Sequence, residues 1–447
     1  MNDFYHYLVC TLNKYENQII RDANNQYTYR ELLLEAETLG EQLKEYPTKK
    51  FGILCQTNLN TAKALIACFY ANKTAVLLSH RYGDAHNKKI IDTVGLSHLI
   101  RDRSIDENGD SQSPDDLNTL HDVALIMCTS GTTGTPKGAM ITYQNLLTNL
   151  GDINVYFEIN HTQRILISRP LYHCAVLTGE FLISLFKGLE IVFSDDDFNP
   201  AGILRKVEDE NISVLCGTPT MFYHLCKYAK DHTYPSLHSI VVSGECMTPQ
   251  TAARMNDVFQ NIRIYNVYGL TEASPRVSYL PPSLFAQYPT SVGYPLKSLM
   301  IKIEDGELCV KGNSIMKGYY NNPEATQRIL RDGWLHTGDI AEINEHGMLF
   351  IKSRKDNMII RAGMNIYPQE IENALREDPR ILDVIAYGDK KDTTGQKICI
   401  KVVVDNLSKR EVYDICKKHL TLYQLPDMIE IVEKIPRNAS GKVIRRN

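Results

Sequence analysis

Leu32, Ala36, Leu39 and Leu43 recur at intervals of four, three and four, a spacing that predicts a helix burying one face. Apolar runs follow at "KFGILC", "TAVLLS", "LEIVFS", "ISVLCG" and "SIVVSG", each strand-length and continuous enough to be covered on both sides. Such strands alternating with helical patterns predict an α/β fold with much parallel sheet. From Arg101 to His121 the chain is polar and rich in turn residues, which predicts an exposed loop. Later the texture changes. Short strands in "DGELCVKG" and "MLFIKSRKDNMIIR" precede a helix at "PQEIENALREDP" and a further strand at "KICIKVVV", the pattern of a small α+β module. The charged turn "KSRKDN" separates two strand-like runs, so we divide the chain into a large domain at 1–355 and a small one at 356–447.

Composition narrows the function classes. A chain of 447 residues exceeds one ordinary core and predicts two or three domains. With a net charge of −4 there is no basic excess to make nucleic acid the main partner. The opening "MNDFYHYLVCTLNKYENQII" is interrupted by Asn, Lys and Glu, so it predicts neither a secretory signal nor a transmembrane span, and a cytoplasmic location follows. Eleven cysteines stand as singletons with no CxxC pair, against a disulfide framework or a zinc site.

The candidate chemistry begins at "TSGTTGTPKG", Thr129 to Gly138. Glycines that tolerate left-handed backbone angles, several hydroxyls and one lysine suit a polyphosphate. The Walker pattern requires Gly-Lys-Ser/Thr, whereas here Lys137 stands between Pro136 and Gly138. A Gly-rich hairpin or linker is the plain alternative. Four more stretches carry polar and charged groups: "NVYGLTEASP", "GWLHTGDI", "SRKDNMIIRAGMNIYPQEIE" and "PRNASGKVIRR".

Taken in order, these motifs resemble the adenylate-forming superfamily of acyl-CoA synthetases, adenylation domains and luciferases. The resemblance runs from "YTYRELLLEAETLGEQL" to the terminal "SGKVIRR". It implies a large N-terminal domain and a small mobile C-terminal domain. It also implies two steps: a carboxylate attacks the α-phosphorus of ATP to give acyl-AMP and pyrophosphate, and a thiol then displaces AMP. ATP, Mg2+ and coenzyme A are the implied cofactor and co-substrates, and a small carboxylic acid is the partner.

Residue by residue, the resemblance places Thr129, Ser130, Gly131, Thr132, Thr133, Gly134 and Lys137 in the phosphate loop. Thr271 would contact the α-phosphate, Glu272 would hold magnesium, and Tyr268 would stack on adenine. Asp339 would hold the ribose diol with help from Arg354. His173 would position the acyl carboxylate, and Lys442 would be the catalytic lysine of adenylation. Asp356 matches the hinge and Gly363 the loop lining the thiol tunnel. For each residue alone a plainer reading exists: a packed aromatic for Tyr268, a first-turn acid for Glu272, a solvated tail charge for Lys442. The acyl pocket is expected to include His173, Val176, Met221, Gly244, Ala273 and Ser274, an apolar set suited to a fatty or aromatic acid; Arg276 reads first as a loop residue at the surface, the alternative being that it meets a second polar group on the substrate.

"NIYPQEIE" resembles acyl-CoA synthetases and favours coenzyme A as acceptor, whereas "SGECM" is closer to enzymes that load a carrier protein. A stand-alone ligase with coenzyme A is the first expectation, and loading of a carrier protein is the second. A non-catalytic nucleotide-binding relative would be expected to lack Lys442, Glu272 or Lys137, and all three are present.

Overall fold

Thr28 caps the first long helix, Tyr29–Lys44, accepting from the Glu31 amide while the Glu31 side chain returns to the Thr28 amide. Its buried face comprises Leu32, Leu33, Ala36, Leu39 and Leu43. Each of these leucines taken from water contributes about 2 kcal/mol. The helix lies against Leu59–Tyr70 at a separation set by Gly40, where a methyl group would sit 2.4 Å from the Tyr70 ring. The computed structural model describes the chain except residues 1–2, 82, 103, 108–116, 131–135, 195, 230–231, 362–363, 393–394 and 437–447, with side chains also left aside at 130 and 390–395.

The large domain contains three sheets. A seven-stranded sheet has Lys50–Cys55, Thr74–Ser79 and Val123–Ser130 in parallel at its centre. Val123–Ser130 pairs antiparallel with Pro136–Thr142, so the Gly/Thr loop joins the arms of a hairpin, with Thr129 opposite Lys137. A nine-stranded sheet carries six consecutive parallel strands: Arg263–Gly269, Ser239–Val242, Val214–Gly217, Arg164–Ile167, Glu190–Phe193 and Ile19–Arg21. The apolar runs seen in the sequence form strands of these two sheets, and those strands are almost wholly buried.

A third sheet, built around Leu299–Glu304, Glu307–Gly312 and Trp334–Ile343, ends in Leu349–Arg354. A 3-10 turn at Lys355–Asn357 then leads into the small domain. Its five-stranded sheet packs Pro368–Leu375 and Lys409–His419 over a separate core that includes Ile371, Leu375, Val384, Ile400, Val412 and Cys416. The polar stretch after Arg101 is not all loop. Ser104–Glu107 forms a strand on His98–Arg101, because Ile105 finds Ile100 across the ladder while its polar neighbours face outward. Among the described residues no helix is long and apolar enough to cross a membrane.

Candidate active site

The parallel strands of the nine-stranded sheet deliver their following residues to one cavity of about 2300 Å³. Ser168 and Arg169 follow Arg164–Ile167, Thr218 follows Val214–Gly217, Gly244 to Cys246 follow Ser239–Val242, and Leu270 to Glu272 follow Arg263–Gly269. Carboxyl ends of parallel strands are where open α/β sheets form ligand crevices. Asp339, Arg354 and Asp356 reach the same cavity from the third sheet and its turn, and Pro368, Gln369 and Glu372 from the small domain.

The clearest geometry surrounds Asp339. Within the strand Trp334–Ile343 the position before it is Gly338 at φ +72°, and the Gly338 amide donates to Glu307 Oε1 at 2.9 Å. Asp339 lies directly across the ladder from Arg354, whose Nη1 donates to Oδ1 at 3.1 Å. The Tyr268 phenol donates to Oδ2 at 2.5 Å. Burial, and then the Asp339 charge beside it, push the Tyr268 phenol well above its ordinary pKa, so it stays a donor. Desolvation opposes the charge on Arg354, and Asp339 more than offsets it, leaving the guanidinium pKa raised. The arrangement can hold a vicinal diol beside an aromatic face.

A second group gathers around Tyr319, which sequence reasoning did not single out. Its phenol donates to Glu272 Oε1 at 2.6 Å, and Lys137 Nζ lies 5.5 Å from its ring centre. Burial raises the Tyr319 pKa first, Glu272 adds to the rise, and a hydrogen bond with Thr129 works against it. Tyr319 thus draws the phosphate-loop strands and the Thr271–Ala273 turn together. The only sequence signal is an aromatic pair after a glycine in "KGYY". An oxygen-only set of carboxylate and hydroxyls beside a lysine fits a magnesium–polyphosphate complex, since Mg2+ takes oxygen ligands and keeps several waters. Glu272 would hold the ion together with the phosphates.

On the acyl side, His173 precedes the short helix Cys174–Val176, its ring 4.4 Å from that of Tyr172. His173, Val176, Met221 and Gly244 line the cavity. Ala273 and Ser274 do not line it; both are completely buried behind the wall. Arg276 corrects the sequence reading. It opens the strand Arg276–Leu280 and is 1% exposed, because Asn149 ties that strand under the helix Tyr143–Tyr156: its amide donates to the Arg276 carbonyl at 2.9 Å and its carbonyl accepts from the Arg276 amide at 3.2 Å. Arg169 pairs with the wholly buried Glu180 and reaches Ser243 Oγ, fixing the wall from behind. Ser130 has no described side chain; Gly131, Thr132, Thr133, Gly134, Gly363 and Lys442 lie outside the described residues.

The AMP-binding enzyme family matches residues 11–320, and the AMP-binding enzyme C-terminal domain matches 370–442. A feruloyl-CoA synthase from Amycolatopsis sp is 29% identical over 95% of this chain and 94% of its own length. A long-chain-fatty-acid–CoA ligase from Escherichia coli O157:H7 is 33% identical over 73% of this chain, which spans 61% of that relative. Among solved structures, o-succinylbenzoate CoA synthetase from Bacillus subtilis, in complex with its acyl-adenylate intermediate, superposes with a TM-score of 0.88 at 26% identity, covering 98% of this chain and 96% of that one. The same enzyme has been solved with ATP and magnesium ion, and superposes at 0.87.

Proposed function

The chain belongs to the AMP-binding enzyme family, and on that footing we propose that it is an AMP-forming carboxylate–CoA ligase for a fatty or aromatic acid. The observation that carries this reading is a single cavity holding three kinds of group: the Tyr268–Asp339–Arg354 cluster, the Glu272–Tyr319–Lys137 cluster, and the wall of His173, Val176, Met221 and Gly244. Asp339 and Arg354 hold the ribose, with adenine against Tyr268. Thr129, Ser130 and Lys137, with the loop Gly131 to Gly134, hold the β- and γ-phosphates, and Thr271 meets the α-phosphate. His173 orients the acid toward the α-phosphorus.

Carboxylate attack gathers negative charge on groups already anionic, so preset cations and donors supply the rate. Magnesium, held by Glu272 and the phosphates, would neutralise part of that charge. Lys442 adds a cation at the reacting carboxylate. Asp356 is the hinge about which 356–447 turns, after which the Gly363 backbone lines the path of the coenzyme A thiol to the acyl-AMP. The test is pyrophosphate release over a panel of carboxylic acids, with mass spectrometry of the product with and without coenzyme A. An acyl-CoA is expected. ADP and orthophosphate released without any acid would overturn the reading.

A further inference from the structure

Cys309 stands in the third sheet with His336 directly opposite it on one neighbouring strand and Lys302 opposite it on the other. Side chains recur on one face of a strand at every second residue, so Glu304 and Glu307 share that face. The Cys309 Sγ lies 3.4 Å from His336 Nδ1, and the thiol, the ring nitrogen and a Glu304 carboxylate oxygen all fall within 4.8 Å of one another. Tetrahedral zinc, with a thiolate at about 2.3 Å and an imidazole nitrogen at about 2.0–2.1 Å, sets those two ligand atoms about 3.5 Å apart. The thiol and the ring already stand at that separation.

The surroundings suit a cation. Glu307 Oε2 lies 3.9 Å from His336 Nδ1 and is held there by Lys355, while its other oxygen takes the Gly338 amide. Cys309 is completely buried and His336 nearly so, whereas Glu304 is exposed and opens the group to solvent. Glu304 pairs with Lys302, an exposed ion pair that contributes little. Lys302 Nζ also lies 4.9 Å from the Trp334 ring centre, so the lysine keeps a partner when the carboxylate turns away. The cysteines show no zinc spacing along the chain because these three groups come from three strands and meet only across the ladder.

We propose that Glu304, Cys309 and His336 bind one Zn2+ ion through a carboxylate oxygen, the thiolate and Nδ1, with water in the fourth position. On binding, the thiol gives up its proton to solvent and the neutral imidazole carries its proton on Nε2. A thiolate and an imidazole favour zinc over the magnesium expected at Glu272, which takes oxygen ligands. The ion fastens three adjacent strands together just ahead of Asp339 on the same strand as His336, and so stiffens the sheet that presents that carboxylate. Zinc binding here does not depend on the ligase reading.

The test uses the whole chain, stripped of metal and titrated with Zn2+ in excess Mg2+ against a chromophoric chelator. Co2+ in place of zinc reports thiolate ligation through its charge-transfer band. One Zn2+ per chain is expected, with a cobalt–thiolate band and a raised melting temperature. Cys309→Ala should remove the band, and Glu304→Gln should weaken zinc binding about 10-fold or more. Because Glu304 is exposed, its variant tests the site even if the loss of Cys309 prevents folding. The rival thiol is Cys10, exposed on the helix Asp3–Lys14 with Sγ 3.7 Å from His6 Nε2. A band that survives in Cys309→Ala, or disappears in Cys10→Ser, would overturn the proposal. So would a wild type that takes no Zn2+, or a Glu304→Gln protein that binds it as tightly as the wild type.

Discussion

Tyr268 donates its phenol proton to Asp339 at 2.5 Å, joining the end of a parallel strand to the strand Trp334–Ile343, 71 residues further along the chain. Arg354 holds the other oxygen of the same carboxylate. The carboxylate is thus held through both oxygens in advance, so the ribose contact proposed for it would require little reorganisation.

Asp339→Asn should raise the KM for ATP by about 10- to 100-fold, the range for hydrogen bonds that involve a charged group. The effect on kcat should be smaller, because the ribose is remote from the reacting phosphorus. Steady-state kinetics with ATP varied will show the split. An unchanged KM for ATP would remove Asp339 from the nucleotide site.

Tyr319→Phe takes away a single hydroxyl while keeping the ring near Lys137. The Glu272 carboxylate then loses the donor that fixes Oε1 at 2.6 Å. A fall of about 10-fold or more in the rate of acyl-AMP formation is expected, with a higher Mg2+ requirement. Pyrophosphate release measured across a magnesium titration will reveal it, and coincident titration curves for the two proteins would count against the role.

Much of this arrangement was legible because it is local. The "NVYGLTEASP" and "GWLHTGDI" motifs each keep their polar residues within a few positions, and the continuous apolar runs ahead of them read as buried strands. What escaped depends on pairing across the fold. Tyr319 gains its meaning from Glu272, 47 residues away, and nothing in "KGYY" announces that contact. Arg276 looked like a loop residue because it follows Pro275, whereas Asn149, 127 residues earlier, clamps its strand under a helix. Ile105 reads as one apolar residue in a polar stretch until Ile100 faces it.

The proposed division of labour between Lys442 and Gly363 separates the two half-reactions. Lys442→Ala should slow acyl-AMP formation about 100-fold or more, the cost of losing one preset electrostatic contact. Thioester formation from supplied acyl-AMP should be nearly spared. Gly363→Leu should do the reverse by placing a side chain in the thiol path. Single-turnover assays of each step in each variant, on proteins shown to melt normally, will decide. Equal damage to both steps in either variant contradicts a small domain that uses two faces in turn.

Glu307 and Lys355 give a prediction about stability next to the proposed hinge. Lys355 Nζ donates to Glu307 Oε2 at 2.8 Å, while Oε1 accepts from the Gly338 amide. Burial alone would raise the Glu307 pKa. The hydrogen bond from Lys355 and the one from the Gly338 amide outweigh it, so the folded-state pKa lies below the ordinary value. A carboxylate whose pKa is depressed by folding stabilises the folded state fully above its unfolded value, near 4.3, and the contribution is lost as pH falls through the folded value. Lys355→Met should therefore lower stability at pH 7, with a gap that narrows only as pH falls below about 4.3 and closes beneath the depressed folded-state pKa. The neutral-pH gap should be modest, about 0.5–1 kcal/mol, because the lysine side chain is 51% exposed and solvent screens the pair. Raised salt should shrink it further. Thermal melts of both proteins from pH 7 down to the lowest pH at which both still fold, at low and high ionic strength, provide the check. A gap unchanged by salt and by acid over that whole range would assign the loss to the packing of the lysine stem, not to its charge.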